Sequence, residues 1–140
     1  MKTGKRAAAV ALLLALLMGV TACGSVQTED QTKIEKENKV QIGMSFDSFV
    51  IERWQRDRDV FVSVAKELGA EVNVQNANGD VEQQRKQIDY FIQKGMDVIV
   101  IISIDAAELK DSVEKAKREG IKVIAYDRLI EDADVDLYIS

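Results

Sequence analysis

The sequence predicts an α/β fold in which helices cover both faces of a doubly wound parallel sheet. From residue 40 onward, short strand-like runs alternate with longer segments whose apolar residues recur every three or four positions. This alternation is typical of right-handed βαβ crossovers. A second observation is a repeated helix end, in which Gly69, Gly95 and Gly120 each shortly precede the next strand. Glycine is favoured there because it adopts positive φ without a steric cost.

The first predicted strand spans 40–44, and the first predicted helix spans 50–68. The apolar residues of this helix are spaced three, four and seven apart, which places them on one face. They are Val50, Trp54, Phe61, Val64 and Leu68. We expect this apolar stripe to pack against the sheet.

Two further helices are predicted from capping signals. A second strand at 71–75 is followed by Asp80 and Gln83, whose spacing resembles a capping box that begins a helix over 80–94. Asp105 and Glu108 have the same spacing and predict a third helix over 105–119.

The remaining strands are predicted at 97–102, 122–126 and 135–139. The run DVIVII at 97–102 is continuously apolar after its first residue, which is typical of a parallel strand buried on both faces. The last strand continues almost to Ser140, whereas a parallel strand is normally followed by a loop and a covering helix. We therefore expect a truncated sheet, the N-terminal portion of a longer chain.

The N-terminal segment predicts an export signal. A short basic start, Lys2, Lys5 and Arg6, precedes the unbroken apolar run AAAVALLLALLMGV. This run is shorter than the roughly 20 apolar residues that span a bilayer. A basic start followed by an apolar stretch of this length is typical of a secretory signal peptide.

The single cysteine, Cys23, predicts a lipid anchor. It directly follows Ala22 at the end of the apolar run, which resembles the lipobox of bacterial lipoproteins. The alternative is an ordinary cleaved signal with an unrelated cysteine. The predicted organisation is a lipoprotein signal peptide at 1–22, a flexible tether at 23–38 and a folded region at 39–140. The folded region would then lie outside the cytoplasm, anchored to the cell membrane by lipid on Cys23.

Composition narrows the function classes. A net charge of −5 disfavours nucleic acid as a partner. The sequence has no histidine, and its one cysteine is predicted to carry lipid, which argues against imidazole catalysis, thiolate catalysis and most zinc sites. No pair of carboxylates stands out by spacing, and no glycine-rich phosphate loop occurs. We predict a binding protein, not an enzyme, without cofactor or metal. A receiver-like signalling module fits the size but not the export signal.

Polar side chains follow several predicted strands, at the carboxyl edge where open parallel sheets bind ligands. The candidate binding residues are Arg53 and Trp54, Asn76 and Asn78, and Asp127 and Arg128. This set suits a neutral polyol, because a carboxylate accepts from hydroxyl groups, a guanidinium donates to them and an amide does both. An indole ring can also cover the apolar face of a pyranose.

Each candidate has a structural alternative. Arg53 could pair with Asp57 on the surface of the helix, since the two lie four residues apart. Trp54 could be plain core, and residues 76–80 could form only a turn and a helix cap. The pair at 127–128 could be a structural ion pair, although its position directly after a buried strand favours a functional role.

Three segments resemble the D-xylose-binding branch of the ribose/galactose-type (type I) periplasmic sugar-binding proteins. They are ERWQRDRD at 52–59, QNANGD at 75–80, and IAYDR at 124–128 together with DADVDLYIS at 132–140. The first segment is fairly specific to the xylose branch, whereas YDR is shared more widely across the family. The resemblance extends from about residue 40 to the end of the sequence.

The resemblance implies the first of two lobes, incomplete here, with strand order 2-1-3-4-5 and a monosaccharide such as D-xylose held between the lobes. It implies delivery of the sugar to the permease and ATPase of an ABC importer. The family pattern assigns hydrogen bonds with the sugar to Arg53, Asp127 and Arg128, and ring packing to Trp54. Asn76 and Asn78 match a motif near the cleft. The alternative function is a sugar sensor that partners a membrane histidine kinase.

The sequence departs from the family pattern at two loops. After the third strand the family usually has proline and a polar residue, whereas this chain has Ser103, Ile104 and Asp105. The loop at 46–49, FDSF, is more aromatic than the family pattern. Either departure could alter the sugar preference.

Overall fold

The computed structural model describes residues 39–140, which form a five-stranded parallel sheet with three helices. The strands are β1 (Gln41–Phe46), β2 (Glu71–Asn76), β3 (Val98–Ile101), β4 (Lys122–Tyr126) and β5 (Leu137–Ile139). The helices are α1 (Glu52–Glu67), α2 (Val81–Gln93) and α3 (Lys110–Arg118). The strand order is β2-β1-β3-β4-β5, and every neighbouring pair is parallel. The predicted fold class and strand order are confirmed. The predicted signal peptide, the lipidation of Cys23 and the tether lie outside the described residues.

The sheet separates two apolar clusters. On one face, residues of β3 and β4 pack with α2 and α3; on the other, residues of β1 and β3 pack with α1. Alternate side chains of β3 enter the two clusters, so that Ile99 and Ile101 contact the first and Val100 the second. All three side chains are at most 2% exposed, which confirms that this strand is buried on both faces.

The three predicted glycine helix ends are confirmed. Gly69, Gly95 and Gly120 have φ values of +81°, +66° and +79°, and each follows the last turn of a helix. The predicted start of α2 is also confirmed, because the Asp80 carboxylate accepts from the backbone N–H groups of Glu82 at 2.9 Å and Gln83 at 3.1 Å. These contacts satisfy two N–H groups of the first turn.

The predicted start of the third helix is wrong, since α3 begins at Lys110 and not at Asp105. The Asp105 carboxylate accepts from the Ala107 N–H at 2.9 Å and so closes a local turn. Arg85 of α2 binds both the carbonyl and the carboxylate of Glu108. This tertiary contact occupies the side chain that the capping box would have required.

The predicted apolar stripe of the first helix is only partly buried. Trp54 is 1% exposed, but Val50 and Leu68 are 87% and 81% exposed because α1 begins after the first and ends before the second.

Beside α1 lies an open groove of about 510 Å³, bounded by Phe61 and Val64 of the helix and by Ile124 and other strand residues. No element among residues 39–140 covers this groove. No helix in the described part of the chain is long and apolar enough to cross a membrane.

Candidate functional site

Asp127 lies at the centre of a polar cluster at the carboxyl edge of the sheet. Its Oδ1 accepts a hydrogen bond from Arg53 Nη2 at 2.5 Å, and its Oδ2 accepts one from Trp54 Nε1 at 3.0 Å. The hydrogen bond from Arg53 is the main cause that lowers the pKa of Asp127 below its ordinary value; burial opposes it, and the indole N–H assists it. Asp127 is therefore ionised at neutral pH and holds two residues of α1 against the end of β4.

The backbone of Asp127 has left-handed geometry, with a φ of +63°. Its N–H donates to the carbonyl of Ile139 at 2.7 Å, and the N–H of Arg128 donates to the carbonyl of Tyr126 at 2.7 Å. Non-glycine residues rarely adopt positive φ, although aspartate is among the more tolerant types. Such conformations persist where the surroundings hold them, and they concentrate at functional sites.

Arg128 is held by three contacts next to Asp127. Its Nη1 donates to the Asp47 carboxylate at 2.7 Å and to the Ser103 carbonyl at 2.9 Å. Its guanidinium carbon lies 4.8 Å from the centre of the Trp54 ring, which is cation–π geometry. Within residues 39–140, all hydrogen bonds recorded for this side chain use Nη1, so that Nη2 and Nε have donor capacity for a ligand.

Arg53 also belongs to a second hydrogen-bonded group. The Asp57 carboxylate accepts from the Tyr126 hydroxyl at 2.8 Å and from Arg53 Nη1 at 3.4 Å. Burial is the main cause that raises the pKa of Tyr126, with the hydrogen bond to Asp57 acting in the same direction. The alternative pairing of Arg53 with Asp57 is therefore present, but the same guanidinium reaches Asp127 as well.

Trp54 belongs to the core and to the polar cluster at once. Its ring packs in the apolar cluster on the α1 face of the sheet, and Arg128 lies over the indole. With 1% of the residue exposed, no broad ring face is open to a ligand in this structure. A sugar could stack on the indole only if Arg128 moved, whereas the present contacts fit a residue that orients Asp127 and Arg128.

Asn76 and Asn78 form a turn after β2. Asn76 donates through Nδ2 to the Asn78 side chain at 2.8 Å, and the Asn78 N–H donates back to Asn76 Oδ1 at 2.9 Å. The turn is attached to the loop after β1, because the Gly79 N–H donates to the Asp47 carbonyl at 2.9 Å. Among the described residues, no recorded hydrogen bond joins either amide side chain directly to Asp127 or Arg128.

The cluster suits a neutral, hydroxyl-rich ligand. Arg53, Asp127 and Arg128 alternate in charge, and the side chains of the two arginines are 50% and 39% exposed. The remaining lone pairs of Asp127 can accept hydrogen bonds from hydroxyl groups, and the arginines can donate to them. Among residues 39–140, no group of three or more histidine, cysteine, aspartate or glutamate side chains could hold a metal ion.

Several participants were not predicted as site residues from the sequence, among them Asp47, the carboxylate partner of Arg128. The sequence indicates Asp57 only as a surface partner of Arg53, and Tyr126 only as a strand residue. Gln84 is fully buried behind the site and contacts the loop after β3. A signal for Gln84 did exist, because it lies four residues before Ile88 and seven before Phe91, on the buried face of α2.

Residues 42–140 match the periplasmic binding protein domain. The chain belongs to this family. The D-xylose-binding periplasmic protein of Escherichia coli strain K12 is 50% identical over 121 residues, which are 86% of this chain and 36% of that protein. The chain therefore spans about a third of the length of this curated relative. The predicted resemblance to type I periplasmic sugar-binding proteins is confirmed.

Two solved structures extend the comparison to three dimensions. An ABC transporter solute-binding protein from Clostridium phytofermentans with bound β-D-glucose has a TM-score of 0.67 and 37% identity, over 70% of this chain and 31% of that one. The fructose-binding periplasmic domain of a hybrid two-component system has a TM-score of 0.64 and 28% identity, over 71% of this chain and 33% of that one. The prediction of a binding protein, not an enzyme, agrees with these relatives.

Proposed function

We propose that this chain is the first lobe of the sugar-binding protein of an ABC importer and that its ligand is D-xylose or a similar monosaccharide. The observation that carries the proposal is the cluster around Asp127, in which two arginines and a carboxylate lie at the sheet edge where this class of fold binds ligands. The 50% identity to a D-xylose-binding periplasmic protein supports the choice of sugar.

The proposed binding chemistry follows from the donors and acceptors of the cluster. Asp127 accepts a hydrogen bond from one sugar hydroxyl group, while Nη2 or Nε of Arg128 donates one to a neighbouring hydroxyl group. The two residues therefore recognise a pair of adjacent hydroxyl groups. Arg53 supplies a further donor. Asn76 and Asn78 lie beside the proposed cleft, in the turn after β2. Trp54 orients Asp127 through its indole N–H and packs against the guanidinium of Arg128.

Transport would depend on closure of two lobes around the sugar and not on catalysis. The closed form is then presented to the permease, and the ATPase drives import. A lipid anchor on Cys23, with the signal peptide at 1–22 and the tether at 23–38, would keep the protein at the outer side of the cell membrane.

A sugar sensor is the second candidate function. It is supported by the similarity to the fructose-binding periplasmic domain of a hybrid two-component system. Deletion of the gene separates the two candidates. Loss of D-xylose uptake with an intact transcriptional response favours import, whereas loss of the response to sugar with normal uptake favours sensing.

The binding proposal is tested by calorimetric titration of the full-length protein with D-xylose, ribose, arabinose, glucose and allose. We expect Asp127→Asn to weaken D-xylose binding by about 10- to 100-fold, because a hydrogen bond to a charged group is worth roughly 1.5–3 kcal/mol. Glu67→Gln, at the exposed far end of α1, is the matched control and should bind as the wild type does. Absence of binding of every sugar by the folded wild type would overturn the proposal.

A further inference from the structure

Gln84 of α2 is a fully buried polar side chain behind the candidate site. Its Nε2 donates to the Ile102 carbonyl at 2.9 Å and to Ser45 Oγ at 3.3 Å. Its Oε1 accepts from the Ile104 N–H at 3.0 Å. These contacts use both N–H groups and the carbonyl of the amide, and Gln84 is 0% exposed.

Gln84 contacts the backbone on both sides of Ser103, at Ile102 and at Ile104. The amide fixes the backbone one residue before and one residue after it, in the loop that continues β3 beyond Ile101. The Ser103 carbonyl, held between them, is an acceptor for Arg128 Nη1 at 2.9 Å. Gln84 is thus connected to Arg128 through a single peptide group, whose Ile104 N–H donates to Gln84 and whose Ser103 carbonyl accepts from Arg128.

Packing alone does not explain an amide at this position. Gln84 shares the buried face of α2 with Ile88 and Phe91, where an apolar side chain of similar volume would need no hydrogen bonds. A buried amide costs free energy unless all its polar groups are paired. What the amide adds is a partner for the Ile102 carbonyl and the Ile104 N–H, in a loop that is neither strand nor helix.

We propose that Gln84 is a positioning residue, which holds the loop after β3 so that the Ser103 carbonyl orients the guanidinium of Arg128 toward the ligand. The inference rests on the proposed function, since the ligand is the sugar bound by Arg128. Gln84 itself does not contact the sugar. Its effect on affinity therefore passes entirely through Arg128.

Gln87 offers a matched control on the same helix. It is 3% exposed, and its Oε1 accepts from Ser45 Oγ at 2.8 Å, but no hydrogen bond recorded among residues 39–140 joins its side chain to the loop after β3. Gln84→Met and Gln87→Met each remove one buried amide at nearly constant volume. Gln84→Met is expected to cost more stability, because it leaves the Ile102 carbonyl and the Ile104 N–H without their amide partner, whereas Gln87→Met removes one contact with Ser45. Only the first variant should affect Arg128.

The test combines calorimetry with D-xylose and ¹H–¹⁵N NMR of the arginine Nε–H groups in the full-length protein. The Arg128 resonance is assigned by its loss in Arg128→Lys. We expect Gln84→Met to weaken binding about tenfold and to shift or broaden the Arg128 resonance, while Gln87→Met leaves affinity within about twofold. In the Arg128→Lys background, Gln84→Met should weaken binding no further.

A folded Gln84→Met variant with wild-type affinity and an unchanged Arg128 resonance would overturn the inference, as would an equal loss of affinity in the Arg128→Lys background. If the wild type binds no sugar, the proposed function fails, and the Arg128 resonance alone then decides whether Gln84 orients this side chain. Gln84→Asn, which withdraws the amide by one methylene, replaces Gln84→Met if the latter does not fold.

Discussion

At the residue scale, the candidate site is organised by contacts between residues far apart in sequence. Asp127 contacts Arg53 and Trp54, from which it is separated by more than 70 positions in the sequence. Arg128 contacts Asp47 at a sequence separation of 81. The sequence indicated Arg53, Asp127 and Arg128, because polar residues after a buried parallel strand converge at the sheet edge. It could not indicate which carboxylate each arginine selects, or that Arg128 would cover the Trp54 ring.

Asp136 provides a stability test at the residue scale. Its carboxylate accepts from Lys117 Nζ at 2.6 Å, from the Val123 N–H at 2.8 Å and from Lys122 Nζ at 3.1 Å. The contact with Lys117 is the main cause that holds the pKa of Asp136 far below its ordinary value. A carboxyl group whose pKa is lowered by folding contributes stability to the folded state. This contribution is fully present above the pKa that the group has in the unfolded chain, and it is lost as the pH falls from that value toward the lower pKa of the folded state.

We therefore expect Asp136→Asn to destabilise the protein at pH 7. The difference from the wild type should shrink as the pH falls below about 4, because only the wild type binds this proton on unfolding. Urea denaturation between pH 2 and pH 7 measures the difference, with the exposed Asp134→Asn as control. A stability difference that is independent of pH would contradict the assignment.

At the element scale, the close approach of α2 to β1 depends on one glycine. A Cβ atom on Gly43 would lie 2.5 Å from Cγ of Phe91, well inside van der Waals contact. Phe91 is fully buried in the cluster formed by α2, α3 and the sheet, so that its ring has little space to retreat. The absence of a side chain at position 43 therefore sets the distance between helix and sheet.

Gly43→Ala should destabilise the protein by about 1–3 kcal/mol through overpacking. Gly43→Ala should cost less stability in a Phe91→Leu background than in the wild type, because the smaller leucine side chain leaves space for the new methyl group. Equilibrium urea unfolding of the four proteins measures the coupling. Strictly additive effects would show that the two residues do not interact.

The starts of α2 and α3 provide a second test at the element scale. Both were predicted from the same capping spacing, yet only Asp80 caps a helix, whereas Asp105 closes a turn. We expect Asp80→Ala to cost about 1 kcal/mol and Asp105→Ala clearly less. Chemical denaturation of the two variants compares the costs directly, and equal costs would contradict the assigned start of α3. Local spacing predicted α2 correctly but could not include the tertiary contact of Arg85 with Glu108.

At the scale of the whole molecule, the alternation of strands and helices and the glycine helix ends were sufficient to predict the layered sheet. The strand order came from the family resemblance, and the register that brings Tyr126 to Asp57 became visible only in three dimensions. Periodicity also could not indicate that the groove beside α1 is open along β4 and β5 within the described chain. The pattern of apolar residues identifies a face that can be buried, but it does not identify what covers that face.

The central claim, that Asp127 and its neighbours bind a monosaccharide, is tested most directly through Trp54, the only tryptophan in this sequence. Its indole N–H donates to Asp127, so that its NMR resonance reports on that carboxylate. Titration of the ¹⁵N-labelled full-length protein with D-xylose, with the resonance assigned by Trp54→Phe, should shift this signal in a saturable manner. An indole resonance that stays unchanged at sugar concentrations that saturate the protein would contradict the account.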